Sequence, residues 1–155
     1  MKLEYATKNK NQVNDLPKLQ ALLAPHSIIL DAEYLTIMEQ AEEGDLPSVL
    51  EMAELFLQGT NAFEPNYELL TRYAYKALEI TKSELNDIIA VLETYNDLIM
   101  IEAGFGHYDK SKALLKEAIN VAVEDFHYED VVGFLHTALV NIVDNSTYEE
   151  EESVE

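Results

Sequence analysis

The sequence has no cysteine and no tryptophan, only five glycines and four prolines, and ten lysines and arginines against thirty aspartates and glutamates. Without cysteine there is no disulfide and no thiolate metal site, and the redox compartment is left open. Long apolar runs are missing too: IIAVL (88–92) and LIMI (98–101) are far too short to span a bilayer. The opening MKLEYATKNK carries three lysines and no apolar signal core, so a cytoplasmic protein is expected. No segment alternates apolar and polar residues as a half-buried strand would. Gly104-Phe105-Gly106 lacks the preceding strand and the further glycine of a phosphate-cradling loop.

Cations are also missing locally. Leu19–Thr71 contains ten acids and no Lys or Arg, and Glu124–Glu155 contains ten more and none. Residues 1–18 run the other way, with four lysines against Glu4 and Asp15. A formal charge of −20 repels nucleic-acid backbones and anionic membranes and speeds encounter with basic proteins. The partner expected is therefore a basic protein, with neither nucleic acid nor membrane bound directly. The alternative is that the acidity only keeps the chain in solution.

What is present is helix. At 155 residues and 48% hydrophobic content the chain can bury the core of one domain, expected over 1–144, with NSTYEEEESVE (145–155) as an acidic disordered tail. The pattern predicts about seven helices, over 15–25, 31–44, 46–58, 66–82, 84–103, 108–125 and 128–144. Asp31, Asp45 and Ser83 are the expected caps, and Pro25 is expected to close the first helix. Gly44 and Gly59 bracket one helix closely because each stops a helix, leaving a bare turn between antiparallel neighbours. Three helix starts share a frame: NYELLTRYAYKA (66–77), HYDKSKALLKEA (107–118) and HYEDVVGFLHTA (127–138). Each has a tyrosine expected to pack at the entry (67, 108, 128), then a first-turn acid that suits the helix dipole. Each also has an alanine that lets a neighbouring helix come close (77, 118, 138).

Residues 41–78 resemble one unit of the Sel-one-like repeat, a relative of the tetratricopeptide repeat. Ala41, Gly44, Phe56, Gly59, Tyr67-Glu68, Tyr73 and Lys76-Ala77 carry the likeness. Ala53, Asn61 and Leu70 depart from it, and the loop is one residue longer. Residues 95–118 resemble a tetratricopeptide unit through Gly106, Tyr108, Ser111, Leu115 and Ala118. The resemblance implies an all-α stack of antiparallel helix pairs, a short α-solenoid, that binds other proteins on the concave face lined by its first helices.

No catalytic constellation is legible. His26, His107, His127 and His136 form no HExxH and no i, i+4 pair, and acids are too abundant for any one pair to stand out. No cofactor or metal is expected. The candidates for partner binding are Glu51, Glu54 and Gln58, which with Ser48 make a polar stripe opposite Val49, Leu50, Ala53, Phe56 and Leu57. Asn86, Glu93, Asn96 and Asp97 make another, and Met100 joins Glu93 and Asn96 on the inner face that the resemblance implies. Tyr95 is a possible anchor. Lys110, Lys112 and Lys116 are expected to offset acids on neighbouring helices. The function expected is a non-enzymatic interaction module or scaffold that holds a basic or extended protein segment on an acidic concave face; the alternatives are an acidic inhibitor, such as a toxin-neutralising immunity protein or nucleic-acid mimic, and an enzyme of unrecognised type. A homodimer is also open, because a short stack has ends to cover.

Overall fold

The computed structural model describes residues 13–125, and every regular element among them is helical. Six α-helices run in order: α1 (Leu16–Leu23), α2 (Ala32–Glu42), α3 (Leu46–Gln58), α4 (Tyr67–Glu84), α5 (Ile88–Gly104) and α6 (Tyr108–Asn120). A 3₁₀ turn occupies Ala24–His26 and a π turn Val121–Asp125. The all-α expectation is met. The seventh expected helix, 128–144, the tail and the third copy of the helix-start frame lie outside the described residues. The chain groups into two compact units, Met1–Ile80 and Thr81–Glu155.

In the first unit, aspartate carboxylates start three helices. Asp15 accepts from the Lys18 N–H at 3.2 Å, Asp31 from Tyr34 at 2.9 Å and Asp45 from Ser48 at 3.2 Å. Helix α1 stops short of the expected 25. Pro25 has no N–H and its ring would meet the carbonyl one turn back, so the chain tightens into 3₁₀ geometry from Ala24. Helices α2 and α3 pack together across the turn at Gly44, whose φ of 99° reverses the backbone. There the Gly44 N–H bonds to Ala41 and the Asp45 N–H to Gln40, both at 3.0 Å, which satisfies two end carbonyls of α2. The core gathers Leu19 and Leu23 from α1, Met38 and Ala41 from α2, Val49, Met52 and Phe56 from α3, and Leu70, Tyr73 and Ala77 from α4. The Phe56 ring stacks on Tyr73 (centroids 6.1 Å apart, planes at 13°) and tilts against Phe63 (5.9 Å, 39°).

The second unit opens on a correction. Ser83 lies inside α4, which runs on to Glu84, and α5 starts instead at Asp87, which accepts from Ile89 at 3.0 Å and Ala90 at 3.4 Å. A carboxylate holding two end N–H groups is a stronger cap than one hydroxyl, and its charge suits the dipole. Helices α5 and α6 pack against each other across Gly106 (φ 84°), with the joint seen at Gly44: Gly106 N–H to Ala103 at 3.0 Å, His107 N–H to Glu102 at 2.7 Å. Val91, Tyr95, Leu98 and Ile99 of α5 are buried, as are Leu115 and Ala118 of α6. The buried Ser111 hydroxyl donates to the Ile99 carbonyl at 2.8 Å, so these helices cross closely at small residues.

Candidate partner-binding faces

Every one of the seven candidate side chains is exposed: Glu51, Glu54 and Gln58 on α3, and Glu93, Asn96, Asp97 and Met100 on α5. The α3 stripe needs rotating. Ser48 is buried at its base, donating to Asp45, and Met52 and Leu55 join Val49 and Phe56 inside. Leu50 and Leu57, expected inside, are 46% and 43% exposed. The reason is geometric: α3 is held by α2 on one side and by Tyr73 on the other, and the arc between them is centred on Val49, Met52 and Phe56. Leu50, Glu54 and Leu57, four and three residues apart, therefore share the outer face. Within this face Gln58 Nε2 donates to Glu54 Oε1 at 3.2 Å.

Helix α5 presents a similar mixture. Ile89, Glu93, Asn96 and Met100 succeed one another at steps of four, three and four, so they lie on one face, with Asp97 beside it. Ile89 is 51% and Met100 63% exposed. Glu93 and Asp97, one turn apart, repel each other. Partial burial and then the Glu93 charge push the Asp97 carboxyl above its ordinary range. Among the described residues no cation pairs with either. Tyr95 is enclosed in the core, with the exposed Lys82 ammonium 5.8 Å from its ring centre, so it is no surface anchor.

The scarce cations go elsewhere, to a carboxylate that sequence reading missed. Glu42, the last residue of α2, keeps only 4% of its side chain exposed. Arg72 grips it with both ends of its fork: Nε donates to Oε2 at 3.1 Å and a terminal nitrogen donates to Oε1. Lys18 Nζ lies 3.7 Å from the same carboxylate, and Lys76 donates to the Glu42 backbone carbonyl at 2.7 Å. Three of the chain's ten basic residues thus converge on one acid. Burial alone would raise the Glu42 pKa. The Arg72 hydrogen bonds, the nearby Tyr73 hydroxyl and the charges of Arg72 and Lys76 outweigh it and hold the group below 4.5. The Tyr73 hydroxyl makes no hydrogen bond of ordinary geometry; burial and the Glu42 charge push its ionisation far up.

Removing either partner exposes the asymmetry of this cluster. Arg72→Met is expected to destabilise by about 2 kcal/mol, because it strands a buried carboxylate; the figure is kept low because Arg72 is itself 41% exposed. Glu42→Gln is expected to cost about half as much, since the cations it releases can reach water. Urea titrations of both variants and the double mutant test this, the double costing less than the sum. Glu42 has its folded pKa below the unfolded 4.5, so its contribution is complete above that pH and is lost as pH falls through the folded value. The gap between wild type and Glu42→Gln is accordingly expected to be flat near neutrality and to close in acid.

A second buried acid, Glu102, is fully enclosed and lies 3.1 Å from His107 Nδ1. Among the described residues, no group of three or more His, Asp or Glu could hold a metal ion, and no helix is long and apolar enough to cross a membrane. No known protein family, curated protein or solved structure matches the chain.

Proposed function

We propose that the chain is a non-enzymatic protein-interaction module of the tetratricopeptide and Sel-one-like kind, working in the cytoplasm, that holds a basic or extended protein segment on the acidic, partly apolar face of α5. One observation carries the reading. On α5 two large apolar side chains, Ile89 and Met100, stand exposed on either side of Glu93, Asn96 and Asp97, whose carboxylates have no cation among the described residues. Ile89 and Met100 offer a partner apolar surface to cover, and unpaired acids that repel each other lose that penalty when a cation arrives. The Leu50, Glu54 and Leu57 face of α3 repeats the mixture. A segment with lysines or arginines interleaved with apolar residues answers both features.

The test uses the full-length tagged chain. A basic partner captured from lysate and purified is expected to bind Glu93→Lys/Asp97→Lys more weakly by on the order of tenfold to a hundredfold, and to bind the wild type with a steep loss as salt rises. Glu33→Lys, an exposed acid on α2, serves as the control that leaves affinity near wild type. Equal binding by the α5 reversal and the wild type defeats the reading. The acidic-inhibitor alternative draws support from the two long runs without cations; a single stoichiometric partner held very tightly would favour it over a scaffold with several.

A further inference from the structure

Six lysines and arginines fall in the first unit, and three of them are engaged at one place. Lys18, Arg72 and Lys76 converge on Glu42. The other three, Lys2, Lys8 and Lys10, all lie in MKLEYATKNKNQ (1–12), where Glu4 is the lone acid. The acids of the same unit are disposed differently. Asp15, Asp31 and Asp45 cap helices, Glu42 is enclosed, and Glu68 meets His26 at 3.5 Å. Glu51 and Glu54, on the outer face of α3, meet no cation among the described residues. Leu50 and Leu57 share that face, 46% and 43% exposed. Among the described residues of the first unit, α3 is the one helix that sets two exposed large apolar side chains beside two such acids.

The chain enters the described fold beside this helix. Glu39 of α2 takes the Asn14 N–H on one carboxylate oxygen at 3.0 Å and the Asp15 N–H on the other at 2.8 Å. Helices α2 and α3 pack together about Gly44, with Glu39 five residues before that turn and Leu50 six after it. Both therefore stand about 8 Å from the turn along their helices, and the preceding segment is delivered at the level of Leu50. Twelve residues reach up to about 40 Å, against about 12 Å from Leu50 to Gln58 along α3. The chemistry matches as well: three lysines for Glu51 and Glu54, and Met1, Leu3 and Tyr5 for Leu50 and Leu57. A tether this short keeps the segment at high local concentration beside the helix. We propose that residues 1–12 dock in cis on the outer face of α3, so that the chain's own basic segment occupies it. This contact does not depend on what α5 holds.

A nitroxide on the full-length chain tests it. Ala6→Cys introduces the only thiol, and a spin label attached there broadens the amide signals of whatever lies near it. The expected result is broadening at Leu50, Glu51, Glu54, Leu57 and Gln58. Raising salt from about 50 to about 500 mM is expected to cut it severalfold, because exposed pairs are screened. Glu51→Lys/Glu54→Lys is expected to do the same with helicity unchanged, since both side chains are exposed. Isotope-labelled wild type mixed with unlabelled, spin-labelled chains is expected to show no broadening. Unbroadened α3 signals, or broadening indifferent to the charge reversal, overturns the proposal. Broadening in the mixture overturns it too, because the segment would then sit on a second copy. Should Glu51→Lys/Glu54→Lys lose helicity, Lys2→Glu/Lys8→Glu/Lys10→Glu decides instead: it leaves residues 13–125 unaltered, and broadening that survives it overturns the proposal.

Discussion

Replacing Gly59 by alanine is expected to destabilise the first unit by about 4 kcal/mol and to lower its unfolding midpoint by on the order of 20 °C. Two costs add. The backbone at Gly59 has φ 69° and ψ −172°, a region that only glycine occupies without strain. A Cβ there would also lie 2.7 Å from the Phe63 carbonyl oxygen, 2.8 Å from the Pro65 nitrogen and 2.9 Å from the Glu64 carbonyl carbon. These are backbone atoms and cannot swing aside as a side-chain tip could. They are also committed, because the Thr60 N–H bonds to the Phe63 carbonyl at 2.8 Å and the Asn66 N–H to Phe56 at 2.9 Å. Gly44→Ala is the comparison. Its φ of 99° carries the strain, but no atom lies within 4 Å of the added carbon, so about 1 kcal/mol is expected. Urea titration of the two variants decides the matter; equal losses would mean that the loop yields and that the crowding at Gly59 has no energetic weight.

Phe56→Ala is expected to cost about 3–5 kcal/mol, the range for emptying a buried aromatic site. The ring is fully enclosed and touches two others, Tyr73 of α4 and Phe63 of the loop, so its loss leaves a cavity lined on two sides by rings that cannot collapse into it. Leu57→Ala, the next residue along, is expected to cost well under 1 kcal/mol because its side chain is 43% exposed. The measurement is the difference between the two denaturation midpoints at unchanged m-value. A small loss for Phe56→Ala would show that α3 and α4 do not depend on this aromatic contact.

The candidate faces were legible to the extent that amphipathic period can show them. Glu51, Glu54, Gln58, Glu93, Asn96, Asp97 and Met100 all reach solvent, because helical spacing sorts a polar stripe from an apolar one whatever the neighbours are. The edges of those stripes were not legible. Leu50 and Leu57 face out, while Ser48 is buried under Gln40 and Asp45. An apolar residue at the margin of a stripe is covered or bare according to the direction from which the next helix arrives. Tyr95 makes the same point, a residue fit for an anchor in sequence that the packing of α5 turns inward.

Glu42 was not legible at all. It stands beside Glu43 in the string AEEG, yet one is enclosed by three cations and the other is exposed. Its partners Lys18, Arg72 and Lys76 lie up to 34 residues away in the chain, and no local rule distinguishes neighbouring acids by a long-range contact. The sequence by itself determined the helices, most of their aspartate caps and the glycine stops, because these are set by hydrogen bonds and dihedral preferences within a few residues. It also determined the absence of disulfides and the acidity. Only the tertiary structure decided which carboxylate is buried and which leucines face water. Those outcomes depend on how packed helices divide a shared interior, and burial free energy belongs to the assembled contacts rather than to any residue alone.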